Sequence, residues 1–377
     1  MDSTQTFQET KAALVFSQLA LSSRKEAWDD FSKGKTLSDI FKIWMEASRA
    51  ELKELLEKFS PEKEMMDCAS KKIELISISE STYPDLLRAI SDPPFILYAC
   101  GNTELLHDLS VAIVGSRQAS FYGMEQARRF ARVLSDSGLT IVSGLALGID
   151  QAAHESVLDA GGRTIAVLGC GMDVIYPAEN RGLYERMAKH GLILSEYPLG
   201  AEPRSYHFPR RNRILSGLSL GVLVVEAHER SGSLITAYQA LEQGREVYAI
   251  PGPVHHITSR GTHRLIREGA ALVETPEEVI VSIAEHSGVL QYQTKKESHP
   301  KSFDSILPRV ENQSTLPRIE ESDESNALVK ILKTQSCDYE GLFELSNMEP
   351  HDFARALTEL EIEGKVRKNF SGYFELS

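Results

Sequence analysis

Residues 205–237 read SYHFPRRNRILSGLSLGVLVVEAHERSGSLITA, and the fold follows from this stretch. It opens on an arginine cluster that carries an aromatic ring, His207-Phe208-Pro209-Arg210-Arg211-Asn212-Arg213. An uninterrupted apolar run at 222–225 follows and ends in Glu226. A short apolar run bounded by polar residues reads as a strand covered on both faces. Ser231-Gly232-Ser233 then stands at the mouth of a helix. A buried strand feeding a helix is half of a βα unit. The same parts suit a polyanion: guanidinium forks bind phosphate oxygens, a helix start offers free N–H groups, and a phenylalanine face can stack on a base.

Upstream and downstream the unit repeats. Strands are expected at 111–114, 140–143, 164–168, 192–194, 222–225 and 247–250, most of them apolar without alternation. Between them lie amphipathic segments; in the first, Ala127, Phe130, Ala131 and Leu134 fall at helical spacing. Repeated βα units predict an α/β fold with a doubly wound parallel sheet, whose ligands bind beyond the carboxyl ends of the strands. Gly115, Gly144, Gly169, Gly171 and Gly252 each follow a strand. Two further strands are expected at 73–78 and 95–98.

Residues 1–72 read as a helical domain in which Thr36 or Ser38 caps a helix carrying Ile40, Phe41, Ile43 and Trp44. Residues 73–290 form the sheet domain. Residues 291–325, polar and holding Pro300, Pro308 and Pro317, read as a linker. Residues 326–377 offer three short helices (328–332, 342–345 and 353–362) and a hairpin turning at Ser371-Gly372, the pattern of a winged helix-turn-helix.

The 377 residues have a net charge of −13, which argues against a protein that coats duplex DNA over its whole surface. Location matters more. Positions 105–290 hold sixteen arginines and one lysine, Lys189, a bias toward forked recognition. Cys68, Cys100, Cys170 and Cys337 lie far apart without partner spacing, so neither disulfides nor zinc are expected. No membrane span or signal segment is read, and a cytoplasmic protein is expected.

Gly115-Ser116-Arg117 after the first strand of the repeat can present N–H groups, a hydroxyl and a guanidinium to one phosphate, or be an ordinary turn. Ser143-Gly144 repeats the hydroxyl-glycine pairing one strand later. Gly169-Cys170-Gly171 suggests a dinucleotide fingerprint with Glu196 as the ribose acid, but Val174 replaces the third glycine and Pro177 interrupts the helix. No G-x-x-x-x-G-K-[ST] or HExxH run occurs. Asp150 and His154 share a helix face, either as an acid–base pair or, the more common outcome, as an N-cap with a packed histidine. Glu226 is either a catalytic carboxylate or, the favoured reading, a buried partner of Arg211 or Arg213.

With these residues in view, the chain resembles the DNA-processing protein A (DprA/Smf) family. The resemblance rests on Ser143-Gly144 through Gly148-Ile149-Asp150 with Ala153-His154, on Phe208-Pro209 with Arg211-Asn212-Arg213, and on residues 231–237. It is joined by Ala249-Ile250-Pro251-Gly252, and upstream by Tyr83-Pro84 and Pro93-Pro94 ahead of Leu97-Tyr98 and Gly101. It implies an extended Rossmann-like domain that binds single-stranded DNA in natural transformation, forms a homodimer and delivers the strand to the RecA recombinase. The expected contacts to DNA are Gly115, Ser116, Arg117, Ser143, Gly144, Phe208, Arg210, Arg211, Asn212, Arg213, Ser231, Gly232 and Ser233. Neither catalysis nor a cofactor is expected. The alternative is a phosphoribohydrolase-like enzyme using Glu226 or Glu196, but Pro251-Gly252-Pro253 departs from the PGGxGT turn of such enzymes.

Overall fold

The computed structural model describes residues 3–287 and, nearer the carboxyl terminus, residues 323–334, 339–346, 348, 352–353, 356–357, 360, 365–368 and 374–376. The chain falls into two compact units, Met1–Thr294 and Lys295–Ser377.

Five helices open the first unit: α1 (Ser3–Gln18), α2 (Leu21–Ser32), α3 (Leu37–Glu46), α4 (Ala50–Lys58) and α5 (Pro61–Ser70). Thr36 is the α3 cap and its hydroxyl accepts from the Asp39 amide. Ser60 caps α5, with Pro61 in the first turn, where a missing N–H costs nothing. Phe16 on α1 packs edge-on against Trp44 at 5.2 Å and also meets Phe95 at 5.7 Å. The helical segment thus shares one hydrophobic core with a face of the sheet.

The sheet follows in the order β1 (Glu74–Ser77), α6 (Asp85–Arg88), β2 (Ile96–Gly101), β3 (Ser110–Val114), α7 (Phe121–Asp136), β4 (Thr140–Ser143), α8 (Ile149–Asp159), β5 (Thr164–Leu168), α9 (Arg181–His190) and β6 (Leu192–Ser195). It continues through α10 (His207–Leu218), β7 (Gly221–Val224), α11 (Gly232–Glu242), β8 (Glu246–Ala249), α12 (Arg260–Arg267), β9 (Ala271–Leu272) and α13 (Pro276–Ser287). Nine strands lie in the order β1-β2-β6-β5-β4-β3-β7-β8-β9. Pairing from β6 through β9 is parallel, while β2 runs antiparallel to β6, and β1 antiparallel to β2. The sheet is therefore mixed at one edge rather than wholly parallel, and β9, two exposed residues, carries no strand pattern that the sequence would reveal.

Strands β3, β4 and β5 are buried along their whole length, as their unbroken apolar runs require. Alternate residues feed opposite faces. Ala112, Val114, Val222 and Val224 face the layer with α10 and α11. Val111, Ile113, Leu223 and Val225 face Phe130 and Leu134 of α7 and Ile149 and Val157 of α8. Each buried Val, Leu, Ile or Phe among these contributes about 1.5–3 kcal/mol.

In the second unit, α14 (Asp323–Thr334), α15 (Tyr339–Ser346) and the antiparallel pair β10 (Val366–Lys368) and β11 (Phe374–Leu376) surround Leu328, Leu342, Phe353 and Leu357. Of the third expected helix, positions 352–353, 356–357 and 360 are described and helical. The expected turn at Ser371-Gly372 and nearly all of the expected linker lie outside the described residues; the last three linker positions open α14.

Candidate nucleic-acid interface

Strand order sets where a ligand can lie. From β3 the chain winds outward through β4, β5 and β6, then returns to β7 on the other side of β3 and winds away through β8 and β9. The loops after β3 and β7 therefore leave in opposite directions and open a crevice at the carboxyl end of the sheet. A cleft of about 730 Å³ fills it. Gly115, Ser116 and Arg117 line it from β3, Ser231, Gly232 and Ser233 from the start of α11, and Phe208, Arg211 and Asn212 from α10.

Helix α10 carries the arginine cluster, and it departs from the sequence expectation in two ways. Phe208, which the following Pro209 biases toward extended backbone, lies in the first turn of α10. First-turn amides have no intrahelical acceptor, so proline is tolerated there and the extended bias of the preceding residue is overridden. The ring is half-buried. Arg117 lies over it at 4.9 Å and Tyr176 beside it at 5.5 Å. Its seat requires Gly169: a Cβ there would fall 2.9 Å from Phe208 Cδ1.

The second departure concerns the guanidiniums. Arg211 is buried and donates through Nη1 to the carbonyls of Gly144, at 2.9 Å, and Val167, and through Nε to Asn212 Oδ1 at 3.1 Å. It thereby ties the ends of β4 and β5 to α10. Burial pulls its pKa down to about 10, against the opposing pull of Asp150. Burial likewise raises the Asp150 carboxyl, against the pull of Arg211. A Cβ on Gly144 would fall 2.5 Å from the Arg211 guanidinium. Gly144 and Gly169 thus make room for this chain's own side chains. Arg213 is also buried and points away from the cleft to Glu196 and Asp92. Burial alone would lower its pKa, but the charge and hydrogen bonds of Glu196 outweigh that and raise it. Arg210, a third exposed, reaches the same carboxylate at 3.3 Å.

Two further expectations are corrected. Glu226 partners neither Arg211 nor Arg213; it accepts from the Ser120 amide at 2.8 Å, the Ser120 hydroxyl at 2.6 Å and Thr258 Oγ1 at 3.1 Å. It lies past the end of β7, where the chain has turned toward the start of α7 and away from α10. Glu196, past β6, is on the α10 side and takes that role. Ser143, expected to face phosphate, is fully buried and donates to the Ile113 carbonyl at 2.6 Å. Ser116 spends its amide on the Glu226 carbonyl at 2.8 Å, so its hydroxyl and the Arg117 guanidinium are what that turn offers the cleft.

Asp150 and His154 do not work as a pair, and Asp150 is not the helix cap as expected: Gly148 caps α8 and Asp150 lies in its first turn. Asp150 accepts from the Gly144 amide at 3.1 Å, while His154 is fully buried against Thr164 at 2.7 Å. Thr164 gives its own proton to the Ile141 carbonyl, so His154 donates from Nδ1, and Nε2 has no partner among the described residues. Burial, then Arg211, depresses its pKa to about 3.

At the start of α11, Ser231 caps the helix by accepting from the Ser233 amide, and Asn212 Nδ2 donates to the Gly232 carbonyl at 3.3 Å. Sequence reasoning missed Gln118, Tyr176, His228 and Arg230, which also line the cleft. Arg230 was the findable one, because a basic residue immediately before a helix cap is placed for anions. Arg117 and Arg230 are exposed and form no ion pair among the described residues. The described cysteines, Cys68, Cys100 and Cys170, are free thiols, and no metal-ligand cluster occurs among the described residues.

Residues 74–284, which hold the whole cleft, match the family DNA recombination-mediator protein A. The chain belongs to that family. Among its relatives, Protein Smf of Escherichia coli K12 is 49% identical over 210 residues, 55% of this chain and 56% of that protein. The chain thus spans little more than half of that relative's length. DNA processing protein DprA of Bacillus subtilis is 44% identical over 241 residues, 63% of this chain and 81% of that protein. Among solved structures, DprA of Streptococcus pneumoniae superposes with a TM-score of 0.58 at 44% identity, covering 62% of this chain and 81% of that one. DNA processing protein A of Helicobacter pylori, studied for its single-stranded DNA binding mode, gives 0.51 at 33% identity over 56% of this chain and 97% of that one.

Proposed function

We propose that this chain binds single-stranded DNA across the cleft, without covalent chemistry, and passes the strand to the RecA recombinase as a homodimer in the cytoplasm of a cell that takes up DNA. The carrying observation is the grouping of two unpaired guanidiniums, Arg117 and Arg230, and a half-exposed Phe208 ring at the capped start of α11. The guanidiniums and the helix start attract phosphates whatever the base sequence. The ring accepts any base with an open face, which a duplex does not offer. Buried Arg211 adds a fixed positive charge beneath the strand. The Helicobacter pylori relative's single-stranded DNA binding supports the reading. The family's description as a recombination mediator supports the hand-over to RecA. The two carboxylates considered for nucleotide cleavage, Glu196 and Glu226, are both engaged by the protein's own groups. For the second unit we propose a winged helix joined by a linker, with a role apart from gripping the single strand.

The deciding experiment is a mobility shift with single- and double-stranded oligonucleotides of one sequence. Preference for the single strand, lost on Arg117→Ala, is expected. Equal binding of both forms by the parent protein would refute the reading.

A further inference from the structure

Phe121 is the first residue of α7, and its ring is 80% exposed. Val254 and Ile257, in the loop after β8, are 84% and 59% exposed. Single exposed apolar residues are ordinary, but these lie on two segments that the structure holds together. Tyr122 Oη donates to the Pro251 carbonyl at 3.1 Å. The Glu226 carboxylate accepts from Ser120 on one side and Thr258 on the other. The start of α7 and the loop are therefore one block.

The loop side of that block is basic. Residues 251–267, PGPVHHITSRGTHRLIR, carry three histidines and three arginines and no acid. Arg260 is exposed and has no ion pair among the described residues. The block also adjoins the cleft, because Gln118 lines the cleft and Phe121 follows three residues later. Three residues of chain span at most about 11 Å, roughly the length of three stacked nucleotides.

We propose that Phe121, on the segment tied to the 251–257 loop, is a second stacking station for the single strand, taking bases that have left the Phe208 cleft. An exposed ring beside a loop rich in arginine and histidine, with the nearby Glu226 carboxylate already engaged by Ser120 and Thr258, fits unpaired bases on a phosphate backbone; a duplex would have no base face to give it. The proposal rests on the cleft reading and extends its track along the sheet toward β8. Phe121 contributes no core packing, so its removal spares the fold.

The test is fluorescence anisotropy with oligothymidylates of increasing length, comparing the parent protein, Phe121→Ala, Phe121→Trp and Arg117→Ala. The parent should gain affinity as the oligonucleotide outgrows the cleft. Phe121→Ala should match it on the shortest ligands and bind the longer ones roughly 5- to 150-fold more weakly. Phe121→Trp should keep the affinity, and its indole emission should be quenched by long ligands only. If Phe121→Ala binds long oligonucleotides like the parent while Arg117→Ala is weakened, the second station is wrong and the cleft stands. If neither variant is weakened, the cleft reading has failed and takes the station with it. Should Phe121→Ala instead change the sedimenting species with length dependence intact, the patch joins protein chains and the proposal is overturned.

Discussion

Arg213 and Glu196 meet fork to fork, Nη1 to Oε1 and Nη2 to Oε2, each at 2.8 Å, with both side chains buried. Breaking such a pair from one side costs up to about 3–5 kcal/mol, and here Arg213 would keep only the half-buried Asp92 at 3.2 Å as a charge partner. Glu196→Gln should lower the denaturation midpoint accordingly, while the folded fraction binds DNA normally. A stable variant with weakened binding would move this pair from the scaffold into the interface.

Arg117 and Arg211 should separate in the same assays. Arg117→Ala should flatten the log–log salt dependence of single-strand affinity by about 0.7 without changing the melting temperature. Arg211→Ala removes the tie between β4, β5 and α10 and strands buried Asp150, so it should cost about 3 kcal/mol of stability. Paired thermal melts and salt titrations on both variants check this.

Phe208→Ala should weaken binding by about 1–3 kcal/mol with an unchanged salt slope, because a stack is lost and no phosphate contact. Gly169→Ala should imitate it, since the new methyl group occupies the ring's seat 2.9 Å from Cδ1. A Gly169→Ala protein of full affinity would show that the ring need not sit where it does.

His154 predicts a pH dependence of stability. In the fold its pKa is depressed to about 3, against about 6.5 in an unfolded chain. Between those values the unfolded chain binds a proton that the folded chain refuses. The contribution is therefore intact above about 6.5 and is lost as pH falls toward 3, by roughly 2 kcal/mol from pH 7 to pH 5. Asp150, its carboxyl raised by burial, acts in the opposite sense at acid pH. The difference between parent and His154→Leu unfolding curves isolates the histidine, and it should shrink as the medium acidifies.

Removing residues 295–377, the second compact unit, should leave single-strand affinity within about a factor of two, a change under about 0.5 kcal/mol. Anisotropy on the truncated protein measures this directly.

The sheet was legible because its information is local. β3 through β8 are apolar runs that no exposed strand would tolerate, and Thr36 marks its helix by cap chemistry alone. The destinations of the arginines were not. Whether Arg211 meets phosphate or its own backbone depends on Gly144, 67 residues away, and on the absence of a Cβ there. Which acid takes Arg213 depends on the directions in which β6 and β7 end, and nothing near Glu226 in the chain records that its loop turns toward Ser120. The glycines drew the eye to the right end of the sheet, though two of them serve α10 rather than a ligand.

Nine of the twelve residues of α10 are buried; the other three are Phe208, Pro209 and Arg210, consecutive in the first turn. A helix held along most of its length has no slow motion left to offer at its tip. An arriving strand then meets a finished surface, and the ordering falls on the DNA alone. Encounter should set the association rate, with no plateau at high DNA concentration, and differences among ligands should appear in how long each stays.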